Sequence, residues 1–240
     1  MIKLFLPDVT LVMVETMEHE LARLAVNDCL QKVTFGEVLI FTDNPESFGE
    51  LPAKRIYVPN WPTKKDWCYY FWSEVPLHLN TTHMLSIQWD SWVWDTSKWL
   101  STYLDYDYIG SPWWYRDGKN VGNGGFSLRT TRLARYLATH QTEFPCDTTV
   151  DDDLLCRKYR PKLEARGFVW APENLAREFA FECVRPSTDS SHFGFHAAMN
   201  FGIVLTREQL VERAHLMKAS PYISKSYIWE NFVKAHPDLA

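Results

Sequence analysis

The sequence predicts an α/β fold on a mainly parallel, Rossmann-like sheet flanked by helices, and three observations carry that prediction. Short β-branched apolar runs alternate with segments of helical period through the first half of the chain. The runs over 9–14 and 38–41 are largely apolar rather than alternating, as expected of buried strands. Three of the runs end in polar residues, Glu15-Thr16, Thr42-Asp43 and Gln88-Trp89-Asp90. In open α/β sheets ligands sit beyond the carboxyl ends of the strands.

The elements follow in order. Residues 9–14 form the first strand, and in residues 18–33 Leu21, Leu24, Ala25 and Cys29 recur at helical spacing, with Glu20, Arg23, Asn27 and Gln31 opposite. A second strand over 38–41 ends in the turn cluster Thr42-Asp43-Asn44-Pro45, and a third over 55–58 stops at Pro59. Residues 66–79 are helical with a break at Pro76, and 84–87 form a fourth strand. Beyond it the pattern is less regular. Residues 107–112 lead through an aromatic stretch to Gly122-Asn123-Gly124-Gly125, a helix covers 130–139, and another begins at Asp151-Asp152-Asp153 and ends before Pro161, its carboxylates at the positive end. No repeat or linker divides the chain, so residues 1–240 read as one domain, with a core over about 9–201 and a helical extension over about 206–240.

Composition narrows the function. An apolar content of 46% with 23% charged residues excludes a disordered chain. Lys and Arg total 25 against 30 Asp and Glu, a formal charge of −5 that gives nucleic acid no support as a partner. The five cysteines lack a C-x-x-C pair, which fits reduced thiols and a cytoplasmic protein. No run reaches the roughly 18 apolar residues of a membrane span, and the start is too short for a signal peptide. The 11 Trp, 11 Tyr and 14 Phe are read as core and groove-lining material, with stacking on sugars or nucleobases as the functional alternative.

Several residues could carry chemistry. Gln88 and Asp90 lie two apart at a strand end, so both side chains can point the same way and offer a hard cation such as Mg²⁺ or Mn²⁺ an amide and a carboxylate oxygen. Asp90 as a simple turn cap is the competing reading. Gly124 and Gly125, after Asn123, let the backbone turn sharply or a ligand approach closely. Mutual repulsion within Asp151-Asp152-Asp153 should raise at least one proton affinity toward that of a general base; a solvated helix start is the alternative. His192 and His196 are four apart, but Gly194 between them weakens a helical metal pair, so one His approaching from a loop is the better functional version. Arg129, Arg132 and Arg135, with Arg157, Lys158, Arg160 and Lys162, read as solvated helix faces, with a phosphate or an anionic membrane surface as the alternative contact. The P-loop, G-x-G-x-x-G, H-E-x-x-H and G-x-S-x-G patterns are all missing from the sequence.

Five segments, Thr82-His-Met-Leu-Ser-Ile-Gln-Trp-Asp90, Tyr106-Asp-Tyr-Ile-Gly-Ser-Pro-Trp113, Val121-Gly-Asn-Gly-Gly-Phe-Ser-Leu-Arg129, Asp151-Asp-Asp-Leu-Leu-Cys156 and Phe193-Gly-Phe-His196, together resemble a family of glycosyltransferase-A-like proteins long catalogued as a domain of unknown function. The resemblance implies a nucleotide-sugar-binding fold. In it Gln88-x-Asp90 stands at the D-x-D position, Asp90 and His196 hold a Mn²⁺ or Mg²⁺ ion, and Asn123, Gly124 and Gly125 lie beneath the donor. Asp152 is implied as the catalytic base with Asp151 as its helper. Thr16 and Asp43, at the first two strand ends, are candidates for nucleotide contacts. The implied activity is a metal-assisted, inverting transfer from a nucleotide-sugar donor to a glycan or lipid-linked glycan, with peripheral membrane contact left open. The competing readings are a noncatalytic carbohydrate- or nucleotide-binding module, and a metal-dependent hydrolase using His192, His196 and the acidic triplet.

Overall fold

A computed structural model describes residues 3–61, 63–148, 150–183 and 191–239. The fold is α/β, with a mixed sheet of six strands flanked by helices. Strands β1 (Leu4–Val14), β2 (Val33–Thr42), β3 (Lys54–Tyr57) and β4 (His83–Ile87) run parallel in the order β3-β2-β1-β4. Helix α1 (His19–Lys32) joins β1 to β2, and α2 (Lys64–Ser73) precedes β4. Thr63 caps α2, its Oγ1 accepting the Asp66 N–H at 3.2 Å. The chain moves outward from β1 to β3 and then returns to the other side of β1, so the strand order reverses between β1 and β4, the place where α/β sheets form a ligand crevice.

Apart from two-residue β5 (Trp92–Val93), the next strands are β6 (Tyr108–Gly110) and β7 (Phe126–Thr130). β7 runs antiparallel to both β4 and β6, which corrects the expectation of a mainly parallel sheet to a mixed one. The cause is the intervening chain: β6 points the same way as β4, the segment 111–125 turns over the carboxyl end of the sheet, and β7 comes back. Phe126 therefore pairs with Ile87, and the glycine-bearing loop enters β7 where β4 ends. Thr130 caps α3 (Thr131–Thr139) by accepting the Leu133 N–H at 3.1 Å.

β5 belongs to a second, three-stranded sheet with β8 (Ala180–Phe181) and β9 (Gly194–Phe195), in the order β5-β9-β8. β9 is antiparallel to β5 and parallel to β8. Gly194 lets this small sheet lie on Phe126, since a Cβ there would be 2.1 Å from that ring.

Alternate residues of β1 feed two cores. Leu11 and Met13 join α1, the small sheet and α8 (Arg207–Ala219), whereas Val12 and Val14 join Phe71, Trp72, Leu133 and Leu137 of α2 and α3. α8 opens with a capping box at Thr206 and is pinned to α1 by the buried Arg213–Asp28 ion pair, with Arg213 lying over Trp92. It is followed by α9 (Tyr227–Ala235).

Several boundaries differ from expectation, among them the start of β2 at Val33 rather than 38. β1 begins at Leu4, with a register irregularity between Leu6 and Thr10 that absorbs Pro7. The helical segment after Thr63 stops at Ser73 and resumes only as a 3₁₀ turn over Val75–His78 containing Pro76. The helix starting at Asp151 does not end before Pro161: α4 (Asp151–Asp153) passes into a π-helical stretch, Leu154–Tyr159, and then α5 (Arg160–Glu164). Pro161 falls in the first turn of α5, where its missing N–H costs no bond. α6 (Glu173–Phe179) then leads into β8.

Candidate functional site

The small sheet assembles one half of the site. Its parallel register pairs Phe181 with Phe195, so Glu182 and His196 leave β8 and β9 side by side; its antiparallel register pairs Trp92 with Phe195, which brings Asp90 to the same place. His196 Nδ1 lies 2.9 Å from Glu182 Oε1, and His196 Nε2 lies 3.3 Å from both Asp90 Oδ1 and Gln88 Oε1. Asn123 Nδ2 also approaches Nδ1, at 3.1 Å. Burial alone would discharge the imidazole, but Asp90 beside it, with Glu182, outweighs burial and holds it protonated well above the ordinary histidine range. Asp90 is itself buried, and its Oδ1 has no hydrogen-bond donor of acceptable geometry.

The strand-end turn is tied to the glycine loop. Gly125 O accepts from Gln88 N–H at 3.2 Å and from Ser91 Oγ at 2.6 Å. Asn123 adopts a left-handed φ of 49°, held by its Oδ1 accepting the Phe126 N–H at 3.4 Å and its carbonyl accepting the Tyr108 hydroxyl at 3.1 Å. The two glycines then face opposite partners. A Cβ at Gly125 would stand 2.2 Å from His196 Nε2, and one at Gly124 would stand 3.2 Å from Asp152 Cβ.

Asp152 forms the other half. Its Oδ2 accepts the Gly124 N–H at 2.8 Å and its Oδ1 the Asp153 N–H at 2.9 Å. Burial, reinforced by the neighbouring Asp151 charge, raises its carboxyl above the usual aspartate range despite these bonds. Asp151 points inward: Trp72 Nε1 donates to its Oδ2 at 3.4 Å, and the Arg129 guanidinium lies 3.6 Å from the same oxygen. Asp151 is therefore engaged on the interior side of the helix start, where its charge acts on the neighbouring Asp152 carboxyl.

The solvated-face reading of Arg129 is overturned. It sits on β7 at 3% exposure, donating to Ser127 Oγ at 3.1 Å, over the Phe71 and Tyr108 rings, with its guanidinium bordering Gly124. Arg132, Arg157 and Arg160 pair with Asp107, Asp117 and Glu164. His192 Nδ1 bonds the Arg177 carbonyl at 2.6 Å and its ring stacks on Trp94, and among the described residues none of its hydrogen bonds reaches His196.

Thr16 and Asp43 lie at the carboxyl ends of adjacent β1 and β2. Asp43 Oδ1 is 2.7 Å from His19 Nε2, and Thr16 is buried, its N–H donating to Glu15 Oε1 at 3.0 Å. The structure places them on the same rim of the sheet as Asp90, but none of their hydrogen bonds among the described residues reaches the His196 cluster. Two members of the site escaped the sequence reading, Glu182 and Arg129. The two-residue strand before Glu182 has no periodicity to detect, while Arg129 is buried because β7 lies between β4 and β6, a pairing the local sequence does not show.

Among the described residues no helix is long and apolar enough to cross a membrane, and no group of three or more His, Cys, Asp and Glu side chains is arranged to hold a metal ion. A family profile described as "Protein of unknown function (DUF5672)" matches residues 69–196, more than half of the chain and the stretch from α2 to the end of the small sheet. No curated protein matches the sequence.

Proposed function

The chain belongs to the DUF5672 family, and from the geometry of its site we propose that it is a glycosyltransferase of the glycosyltransferase-A type. In this reading it transfers a sugar with inversion from a nucleoside-diphosphate sugar to a hydroxyl of a glycan or lipid-linked glycan. One observation carries the reading: the Gly124-Gly125 dipeptide has Asp152 against one glycine and the His196–Asp90–Gln88 group against the other. A base and a cation-seeking cluster thus face a single stretch of side-chain-free backbone, as a displacement between acceptor and diphosphate requires.

The residues fit a hard divalent cation, Mn²⁺ or Mg²⁺. Asp90 Oδ1, the Gln88 amide oxygen and, once the cation displaces its proton, His196 Nε2 would be O and N donors of the right kind, with diphosphate oxygens beside them. Glu182 on Nδ1 orients the imidazole so that Nε2 faces Asp90 and Gln88. When bound, the cation neutralises charge developing on the departing diphosphate, an effect worth several kcal/mol in such sites. Asp152 receives the proton of the acceptor hydroxyl as its oxygen bonds to the anomeric carbon and the bond from that carbon to the diphosphate breaks with its electron pair. A positioned base of this kind contributes roughly 10²–10⁴-fold. The test is incubation with a panel of nucleotide sugars and Mn²⁺, following nucleoside-diphosphate release and the anomeric configuration of product. Donor hydrolysis or transfer with inversion is expected; no donor binding and no turnover across the panel refutes the reading, and binding without turnover selects the noncatalytic module.

A further inference from the structure

An open cleft of about 470 Å³ lies between the loop of residues 113–118 and α6, and none of the chemistry above uses it. We propose that this cleft is a saccharide-binding subsite that seats the acceptor glycan, an assignment of its acceptor role that rests on the sugar-transfer reading.

The loop is built to hold its shape. Pro112 bridges Val121, the Trp113 N–H donates to Asn120 O at 2.7 Å, and Gly118 takes the turn at φ 78°. Arg157 fastens the outside: it pairs with Asp117 at 2.7 Å, donates to Lys119 O at 3.2 Å and stacks over Tyr115 at 3.6 Å. The same Arg157 lies 3.5 Å from Asp153, next to the proposed base, and Trp113 packs so closely on Gly122 that a Cβ there would be 2.1 Å from its ring. The cleft wall is thus continuous with the backbone leading into Asn123-Gly124-Gly125 on one side and with the start of α4 on the other.

Its chemistry suits a sugar. Trp114 is 62% exposed in a protein whose Trp72, Trp89, Trp92, Trp113 and Trp170 are buried, and it leans on Tyr115 with centroids 5.4 Å apart. Opposite stand Glu173, held ionised below the usual carboxylate range by Asn120 and by Arg177, and Arg177 itself, with Arg116 at the rim. A pyranose presents an apolar C–H face that covers an indole and equatorial hydroxyls that bond planar carboxylate and guanidinium groups. The volume lies in the range of small-molecule sites. A nucleobase is commonly gripped by stacking together with edge hydrogen bonds in a closer pocket, whereas this cleft is open.

The experiment titrates cellotetraose, maltotetraose, chitotetraose, mannotetraose and an oligogalacturonate into the full chain by calorimetry, without cation or donor, with uridine as the nucleobase control. Binding of at least one saccharide is expected. Trp114→Ala should weaken it about ten-fold and Trp114→Tyr should restore most of it, as stacking requires. In transfer assays at saturating donor, Trp114→Ala should raise the acceptor KM about ten-fold. The inference is overturned if no saccharide binds, if Trp114→Ala binds like the parent protein, or if uridine alone is retained by Trp114. Saccharide binding lost in Trp114→Ala, with no donor turnover in either protein, keeps the cleft as a sugar site and refutes the transfer reading and the acceptor role together. Turnover with unaltered saccharide affinity refutes the cleft and leaves the transfer reading intact.

Discussion

Replacing Gly125 with alanine tests the centre of the site with one methyl group. The new Cβ would lie 2.2 Å from His196 Nε2, 2.3 Å from Cδ2 and 2.5 Å from Cε1. Ordinary carbon contacts begin near 3.5 Å, so the ring must retreat by roughly 1.3 Å. It has little freedom to do so, because Nδ1 is held at 2.9 Å by Glu182 and the His196 N–H donates to Phe181 O at 3.0 Å. Metal–ligand distances tolerate only about 0.2 Å. Disturbing the support of a ligating histidine costs 10–100-fold in metal affinity, about 1.4–2.8 kcal/mol, and a misplaced ligand should cost at least that. Overpacking adds about 1–3 kcal/mol of lost stability. Gly124→Ala is the internal control: its nearest neighbours would be Arg129 at 3.1 Å and Asp152 at 3.2 Å, so small adjustments accommodate it and cation affinity should hold. The assay is calorimetric titration of Mn²⁺ in the presence of UDP or GDP, with thermal melting to confirm that each variant is folded. A folded Gly125→Ala protein with parental Mn²⁺ affinity would refute the placement of the cation at His196.

Further outcomes concern Asp152, Glu182 and Arg213. Asp152→Asn should lower kcat by about 10²–10⁴-fold while leaving donor Kd within about two-fold, measured by product formation and donor titration. Because burial and Asp151 raise the Asp152 carboxyl, activity should climb with pH through a range above that of an ordinary aspartate. The same raised carboxyl contributes stability below the pKa of the unfolded residue and loses it as pH rises through the folded value, so Asp152→Asn should melt higher than the parent at neutral pH but not in acid. Glu182→Gln should weaken Mn²⁺ binding 10–100-fold with little change in melting temperature, since the amide still occupies the position beside Nδ1. Arg213→Ala leaves Asp28 buried without its main partner and should cost about 3–5 kcal/mol in urea denaturation.

What could be read from the sequence depended on the length of the signal. β1, β2, β4, α1 and α3 were legible because several consecutive residues repeat one period; so were the strand ends that carry Thr16, Asp43, Gln88 and Asp90. The direction of β7 was not, because Phe126-Ser127-Leu128 looks the same run either way and only its pairing with β4 decides. The small sheet was invisible for a stronger reason. Its strands are two residues long, too short for any alternation, and they are specified by Phe126, Trp92 and Phe195 packing at distances along the chain that local patterns do not span. That blindness hid Glu182 and gave no geometric reason to join His196 to Asp90. The acidic triplet shows the converse: its composition signalled a perturbed carboxylate, but only the inward turn toward Arg129 and Trp72 tells Asp151 from Asp152.

The small sheet also fixes when the site can come into being during synthesis. Gln88, Asn123 and Asp152 lie beside or on β4, β7 and α4, which can form as soon as they leave the ribosome, but β5 and β8 have no strand between them until β9, which ends at Phe195, has emerged. A growing polypeptide therefore gathers its base early and its imidazole late. On the sugar-transfer proposal, a nascent chain with the large sheet already formed should still be inert toward an activated sugar, and competence should arrive when the last short strand is laid between its two neighbours.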